Sequence, residues 1–93
     1  MDHGDFEWDD RKAEANWRKH GVRFESARFV FFDFWGAEQL DESESYGEER
    51  SQAIGMVANR LLFVIFTYRQ DRRRIISARF TEPYESRQYH EQK

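Results

Sequence analysis

The sequence predicts an α+β domain in which an antiparallel meander sheet packs with two N-terminal helices and one C-terminal helix. Helix-forming residues with helically spaced apolar side chains occupy the first third of the chain, and runs typical of strands follow between residues 51 and 80. A proline then opens a last helical segment. The 93 residues suit one domain spanning residues 1–93, and a hydrophobic content of 39% is enough to form its core.

The N-terminal third is predicted to contain a short strand and two helices. Phe6 to Trp8 are flanked by acids and suit either a brief edge strand or an extended lead-in. Asp9 or Asp10 can cap a helix that runs from Arg11 to His20. A second helix is predicted from Phe24 to Asp33, because its apolar residues recur at the spacing of one helix face.

The second half of the chain is predicted to form the meander. Its three main strands lie at Ser51 to Val57, Leu61 to Tyr68 and Arg72 to Phe80. Tight turns are expected near residues 58–59 and 70–71, and the middle strand should be central because it is apolar on both faces. Gly36 to Leu40 fits a further strand, and a loop is expected at residues 41–49.

The C-terminal helix is predicted from its opening residues. Glu82 precedes Pro83, which is favoured at the first helical position, and Glu85 stands three residues after Glu82, as in a capping box. The helix then carries Tyr84 and Tyr89 towards the end of the chain.

The composition excludes several kinds of functional site. The chain has no cysteine, so it can form neither a disulfide framework nor a cysteine zinc site. Its three histidines are far apart and no glycine-rich phosphate loop occurs, so we expect no metal and no cofactor. The longest apolar run, Leu61 to Phe66, is too short to cross a bilayer. We therefore expect a cytoplasmic protein without a membrane partner.

Charge is distributed unevenly along the chain. The net charge is −3, but residues 1–50 carry 14 acids and 7 bases, whereas residues 51–93 carry 4 acids and 8 bases. A positive region within an acidic protein suits a site for an anion, although a charge cluster is more often a solvated face. The most arginine-rich stretch runs from Arg72 to Arg79.

Strict strand alternation would divide the arginines of the last predicted strand between its two faces. Arg73 and Arg79 would share one face, and Arg72 and Arg74 the other. Because Arg72 and Arg74 lie next to the turn, they are also consistent with a solvated hairpin end.

Arg79 is the most distinctive of these arginines. It follows an apolar, central segment, where an unpaired charge is costly. Its guanidinium is therefore expected to pair either with a carboxylate, such as that of Glu48 or Glu49, or with an anionic ligand. The strand pattern alone favours neither of these two interpretations.

Other polar side chains could take part in an anion site. Tyr68 and Arg69 end the neighbouring strand, and Tyr89 lies on the last helix, which must pack near the same sheet. A phenol can stack on a base or pass a proton, although most tyrosines simply pack. His20, at the end of a helix, is expected to be stabilised in its charged form, where it could serve a phosphate or cap helix carbonyls.

The residues that carry a family resemblance form three groups. The first is Phe6-Glu7-Trp8-Asp9 with Asn16, Lys19-His20-Gly21-Val22 and Phe24-Glu25. The second is Gly47-Glu48-Glu49-Arg50 followed by Ile54-Gly55. The third is Arg60-Leu61-Leu62-Phe63-Val64 with Thr67, then Arg74-Ile75-Ile76-Ser77-Ala78-Arg79, with Glu85 and Tyr89. In this order and spacing they make the chain resemble the BrnT family of toxins from bacterial type II toxin–antitoxin systems along nearly its whole length.

The resemblance implies a RelE-like fold, in which helices pack on one face of an antiparallel sheet and the open side holds RNA. It also implies a metal-independent endoribonuclease that arrests translation and growth, in which a 2′-hydroxyl attacks the adjacent phosphate and basic side chains stabilise the developing charge. The expected partners are the RNA substrate and a cognate BrnA-type antitoxin, which would block the toxin and carry the DNA-binding part of the complex.

The residues and the resemblance together predict a set of roles. The catalytic set is predicted to be Arg79, Arg50, Tyr89, Tyr68 and His20, and the RNA-binding set Arg74, Arg72 and Arg69. Arg79 would stabilise the scissile phosphate, and a tyrosine would stack a base or pass a proton. The chain departs from the family pattern at Arg23, Arg73, Glu82 and Pro83, and Arg73 is expected to be the most dispensable arginine of its strand.

The alternative is a non-catalytic protein- or RNA-binding module. The phenylalanines between Phe29 and Phe34 exceed what one core-facing stripe needs, so some are expected to contact a sheet edge or a partner, although core packing is the commoner role. The sequence also contains no unambiguous general base.

Overall fold

The computed structural model describes residues 2–41 and 49–92, so most of the loop predicted at residues 41–49 lies outside the described residues. Within them the strands are Asp2–His3 (β1), Phe6–Glu7 (β2), Ala37–Asp41 (β3), Arg50–Val57 (β4), Arg60–Arg69 (β5) and Arg72–Phe80 (β6). The α-helices are Asp10–His20 (α1), Phe24–Ala27 (α2) and Pro83–Glu91 (α3), and a 3-10 helix at Arg28–Phe32 follows α2. These elements confirm the predicted α+β class.

The strands form one sheet in the order β1-β2-β6-β5-β4-β3. From β3 to β6 they are antiparallel neighbours in chain order, as the predicted meander requires. The short β2 lies parallel to β6 on the other side, so the sheet as a whole is mixed and its order is not a simple meander. β5 lies between β4 and β6, where its continuous apolar sequence is buried.

Both predicted hairpin turns are present. Ala58 and Asn59 have φ angles of 50° and 67°, and Gln70 and Asp71 have φ angles of 52° and 66°. Two consecutive residues with positive φ twist a two-residue loop in the same sense as the flanking strands. The turns therefore fix how β5 pairs with β4 and with β6.

The first α-helix begins and ends as predicted. The Asp9 side chain accepts hydrogen bonds from the backbone N–H groups of Arg11 and Lys12 at 2.8 and 3.1 Å. The bonds from Lys12 and Arg11 hold the pKa of Asp9 below its ordinary value. Gly21 follows α1 with a φ of 68°, which glycine adopts without strain.

The prediction of one α-helix from residue 24 to Asp33 is wrong in its second half. α2 ends at Ala27, and residues 28–32 form the 3-10 helix. This run of aromatic and β-branched side chains has low α-helix propensity. The backbone at Val30 also lies against Gly55 of β4, where a Cβ on the glycine would be 2.6 Å from the Val30 carbonyl oxygen. The close approach fixes where the 3-10 helix crosses the sheet.

The two faces of the sheet are covered differently. On the first face, strand side chains pack with α1, α2 and the 3-10 helix in the hydrophobic core. The strand residues of that core are Phe6, Ala53, Leu62, Val64, Phe66, Ile75 and Ala78. Trp8 and Phe24 are the largest buried rings among the other core residues. On the second face, the helix that packs against the described strands is α3, which covers part of that face.

A β-bulge in β6 breaks the strict alternation of its side chains. Ile65 pairs with Ser77, but the next residue of β5, Phe66, pairs with Ile75, so β6 has one extra residue at this point. Ile75 and Ala78 are consequently both buried in the core, although they are three residues apart. Strict alternation would place them on opposite faces.

The bulge corrects the predicted division of the arginines. Arg79, Arg74 and Arg72 lie together on the second face, whereas Arg73 lies on the first face beside its strand partner Tyr68. The alternation rule paired Arg79 with Arg73 because the extra residue is not visible in the sequence.

α3 begins at Pro83, as predicted, and packs against part of the second face. The Glu82 backbone N–H donates to Glu85 Oε1 at 2.7 Å, which is the reciprocal bond expected of the capping box. Glu85 and Tyr89 are the buried side chains of the helix.

No helix within the described residues combines the length and the apolar content that crossing a membrane requires.

Candidate active site

A groove of about 360 Å³ opens on the second face of the sheet beside α3. The sheet supplies Gln39, Gln52, Ile54, Phe63 and Arg79 to its lining, and α3 supplies Tyr84, Glu85 and Gln88. Concave sites with a few well-placed polar groups are the usual places for ligands. Because a charged guanidinium lies among amides and a phenol, this groove suits a polar ligand with an anionic group.

The Arg79 guanidinium is held in place by Glu85. Nη1 and Nη2 of Arg79 donate to the two carboxylate oxygens of Glu85, each at 2.9 Å. Nη1 also donates to the Phe80 carbonyl oxygen at 3.1 Å, and the guanidinium carbon lies 4.2 Å from the ring centroid of Phe63. These contacts fix the orientation of Arg79, while 29% of its side chain stays exposed.

The ion pair sets the charge of both partners. Burial alone would raise the pKa of Glu85, which is 3% exposed, but hydrogen bonds from Arg79 and from the Glu82 backbone bring it below its ordinary value. The hydrogen bond to Glu85 raises the pKa of Arg79, so the guanidinium stays charged. Within the described residues, the carboxylate partner of Arg79 is thus Glu85, and not Glu49 as one interpretation of the sequence expected.

Arg79 keeps donors for a ligand. Glu85 occupies the edge of the guanidinium formed by Nη1 and Nη2. The other edge, formed by Nε–H and the second N–H of Nη2, has no partner among the described residues. Two parallel N–H groups at this spacing match two oxygens of a phosphate.

Tyr84 is the exposed phenol of the groove. Its hydroxyl donates to Glu85 Oε2 at 3.3 Å, so the ring stands beside the ion pair. Tyr68 and Tyr89 were the tyrosines predicted from the sequence. The signal that would have identified Tyr84 is its position directly before Glu85 on a helix that must pack on the sheet.

Four other predicted arginines share the second face with Arg79. They are Arg74, Arg72, Arg69 and Arg50. The strand partner of Arg79 is Phe63, and that of Arg74 is Thr67, four residues further along β5. At ~3.3 Å per residue, Arg79 and Arg74 are about 13 Å apart along the sheet. The structure therefore brings these arginines into one row that begins in the groove.

Two arginines of this row differ in their surroundings. Arg74 Nη1 donates to Glu7 Oε2 at 2.7 Å, and both side chains are half-buried. Arg50 Nε is buried, and it has no hydrogen-bond partner within the described part of the chain. A buried donor without a partner is costly.

Tyr89 is a core residue, although the sequence analysis placed it in the catalytic set. It is 2% exposed, and its hydroxyl donates to Asp33 Oδ2 at 2.6 Å. Asp33 also accepts hydrogen bonds from the backbone N–H groups of Met56 at 2.7 Å and Trp35 at 3.0 Å. Asp33 thereby connects α3 to the edge of β4, and no face of the Tyr89 ring is open to a base.

Replacing Tyr89 by phenylalanine should change how stability depends on pH. Burial and the hydrogen bond to Asp33 raise the pKa of Tyr89 from 10.0 to about 12. The neutral phenol therefore stabilises the fold fully below the unfolded pKa, and this contribution is lost as pH rises through the folded pKa. Tyr89→Phe should lower the free energy of unfolding at neutral pH by about 1–2 kcal/mol.

Urea titrations near neutral pH and across the alkaline range would measure this effect. The wild-type protein should lose more stability than Tyr89→Phe as the pH rises through the range in which the phenol ionises. Tyr84→Phe is the matched control, because the Tyr84 ring is exposed. Parallel alkaline profiles for wild type and Tyr89→Phe would contradict the role assigned to the Asp33 hydrogen bond.

Two other members of the predicted catalytic set do not line the groove. Tyr68 is exposed on the first face, where its hydroxyl donates to Glu38 Oε1 at 3.1 Å. His20 is the last residue of α1. Burial lowers the pKa of His20, and the positive charges of Lys19 and Arg79 lower it further. These effects oppose the expected stabilisation of the charged form of His20 by the helix end.

Arg73 is bound into the first face, although it was expected to be dispensable. Its Nη2 donates to Glu38 Oε2 at 3.3 Å. Its guanidinium carbon lies 4.5 Å from the ring centroid of Phe31 and 5.5 Å from that of Tyr68. Arg73 thus covers aromatic surface with its side chain and has a packing role.

The chemistry available in the groove is that of a fixed cation, a phenol and amides. No group of three or more His, Asp or Glu side chains within residues 2–41 and 49–92 could hold a metal ion. Arg79 can stabilise negative charge on a phosphate, and Tyr84 can stack on a base or donate a hydrogen bond.

A model of a known family matches most of the chain. The family is described as "Ribonuclease toxin, BrnT, of type II toxin-antitoxin system", and the match covers residues 8–85. The matched region includes Arg79, Tyr84 and Glu85 of the groove. Comparison with curated proteins finds no match.

Proposed function

The chain belongs to the BrnT family of ribonuclease toxins of type II toxin–antitoxin systems, and from this premise we propose that it cleaves RNA without a metal ion in the groove at Arg79. The family implies ribonuclease activity and an antitoxin partner. The proposal adds that the substrate is messenger RNA in the cytoplasm and that its cleavage arrests translation and growth. A BrnA-type antitoxin, which carries the DNA-binding part of the complex, neutralises the toxin.

The observation that carries this proposal is the edge of the Arg79 guanidinium that has no partner among residues 2–41 and 49–92. Glu85 fixes the guanidinium through its other edge, so the two remaining donors are oriented before a ligand arrives. Donors that are already oriented stabilise a developing charge without further reorganisation. In the proposed complex, this edge of Arg79 contacts two non-bridging oxygens of the scissile phosphate.

The proposed reaction uses the RNA itself as nucleophile. The 2′-hydroxyl oxygen forms a bond to the adjacent phosphorus, its proton passes to water, and the bond from phosphorus to the 5′-oxygen breaks. The leaving 5′-oxygen takes up a proton, and the products end in a 2′,3′-cyclic phosphate and a 5′-hydroxyl. Arg79 stabilises the extra negative charge on the phosphate oxygens as these bonds change.

The other groove and row residues are proposed to position the substrate. Tyr84 takes the role that the sequence analysis gave to Tyr68 and Tyr89, because its ring is exposed next to Arg79. Arg50 and Arg74 contact the flanking backbone, since they lie on the same face as Arg79.

Incubation of the purified protein with total RNA in excess chelator tests the function. We expect discrete fragments with 5′-hydroxyl ends, formed at the same rate with and without chelator. A parallel reaction with translating ribosomes shows whether free RNA or ribosome-bound RNA is the substrate. Cleavage that stops in chelator would contradict the metal-independent reaction, and no cleavage in either reaction would contradict the proposed activity.

A second candidate function is a non-catalytic partner-binding module. The observation that favours it is the exposure of Phe29, Phe32 and Phe34, of which Phe34 is 87% exposed. Phe29 and Phe32 are three positions apart, and a 3-10 helix aligns residues at this spacing on one side. Exposed apolar patches of this kind commonly contact other proteins. The chelator experiment separates the two functions, because a binding module would leave the RNA intact.

A further inference from the structure

A second groove, of about 310 Å³, lies on the first face of the sheet, away from Arg79. It opens between the junction of α1 with α2 and the end of the β4–β5 hairpin. Its walls include Trp17, Arg23, Val57, Arg60, Leu62 and Phe80. The proposed ribonuclease reaction uses none of these side chains.

Two arginine–aromatic pairs stand at this groove. The guanidinium carbon of Arg23 lies 4.1 Å from the ring centroid of Trp17, and that of Arg60 lies 4.1 Å from the ring centroid of Phe80. Both rings are exposed. Stacking on a ring holds each guanidinium in place while its edge N–H groups stay available to an acceptor.

Neither of these arginines has a carboxylate partner within the described part of the chain. Arg73, Arg74 and Arg79 are all paired with glutamates, although the protein has a net negative charge. Arg23 and Arg60 are therefore cations beside an apolar groove without local compensation. A ligand with a carboxylate next to an apolar side chain complements both features.

We propose that this groove binds a segment of the antitoxin in which an acidic residue adjoins an apolar one. The inference rests on the antitoxin partner in the proposed function, which the family implies. A protein segment fits better than RNA, because the guanidinium groups of Arg23 and Arg60 already lie over the rings on which bases would stack. The apolar walls formed by Val57 and Leu62 also offer a base no hydrogen bond.

Binding of a purified BrnA-type antitoxin tests the inference. The double variant Arg23→Glu/Arg60→Glu should weaken antitoxin binding about tenfold or more, because it replaces attraction of a carboxylate by repulsion. Arg11→Glu is the matched control, since Arg11 is an exposed arginine at the other end of α1. The affinity of this variant for the antitoxin should match that of wild type within about twofold. RNA cleavage by the free double variant should equal that of wild type.

Hydroxyl-radical footprinting of the wild-type complex gives a second measurement that needs no variant. Trp17 and Phe80 should lose reactivity when the antitoxin binds, whereas Phe34 should keep it. Wild-type affinity of a folded double variant, or protection of Phe34 without protection of Trp17, would overturn the inference. Loss of RNA binding with unchanged antitoxin binding would also overturn it, because the groove would then belong to the substrate. If the chain cleaves no RNA but the antitoxin result holds, the proposed activity fails and this inference stands.

Discussion

Removal of Arg79 should lower RNA cleavage by about two to three orders of magnitude, the loss typical when one donor to a developing oxyanion is removed. A single Arg79→Ala change would also leave the Glu85 carboxylate buried without its partner, and that is expected to destabilise the fold. The sharper variant is Arg79→Met with Glu85→Gln, which removes both charges and keeps similar side-chain volumes.

The reference for this double variant is Glu85→Gln alone, because the comparison then isolates Arg79. Arg87→Met is the control for charge, since Arg87 is an exposed arginine of α3. Single-turnover cleavage of a defined RNA gives the rate, thermal unfolding verifies the fold, and induction in bacteria measures growth arrest. Equal cleavage and equal arrest by Glu85→Gln and by the double variant would remove Arg79 from the mechanism.

Most of the fold could be predicted because local signals and global packing agree. The cap at Asp9, the glycine at the end of α1 and the two hairpin turns each appear in the sequence as residue types with definite backbone preferences. The parallel pairing of β2 with β6 could not be predicted, since a two-residue strand has almost no pattern. The 3-10 helix was missed for a different reason: its tight winding depends on contact with Gly55, which is distant in sequence.

The surroundings of the candidate site residues could be predicted only in part, because they depend on tertiary features. The extra residue in β6 moves Arg79 and Arg74 to the same face, which no alternation rule could show. Tyr84 and Tyr89 look equivalent in the sequence of a short polar helix. They differ in the structure, because α3 packs on the sheet with Tyr89 buried and Tyr84 exposed. The ion pair of Arg79 is with Glu85 because α3 folds back over the strand that precedes it. The arginines could be selected as candidates from the sequence because arginine is unusual beside an apolar strand.

Asn16 should hold in place the backbone of β6 that precedes Arg79. It is buried in α1, and its Nδ2 donates to the carbonyl oxygens of Val22 at 2.9 Å and Ala78 at 2.8 Å. Its Oδ1 accepts a hydrogen bond from the Ala78 N–H at 3.1 Å. One side chain thus connects α1 to both backbone groups of the residue that precedes Arg79. Because β6 is irregular just before this point, the connection supports the strand where ladder pairing alone is weakest.

Asn16→Ala should lower the free energy of unfolding by about 3 kcal/mol or more, since it leaves three buried backbone groups without partners. Asn16→Asp should also be destabilised at neutral pH, because a carboxylate cannot donate to the carbonyls of Val22 and Ala78. Lys12→Ala on the exposed side of α1 is the control and should change stability little. Denaturant unfolding measures the free energy of unfolding of each variant. The rate of RNA cleavage by the folded protein should also fall in the Asn16 variants, because Arg79 loses its fixed position. Wild-type stability of the aspartate variant would show that hydrogen-bond donation by Asn16 does not hold β6 in place.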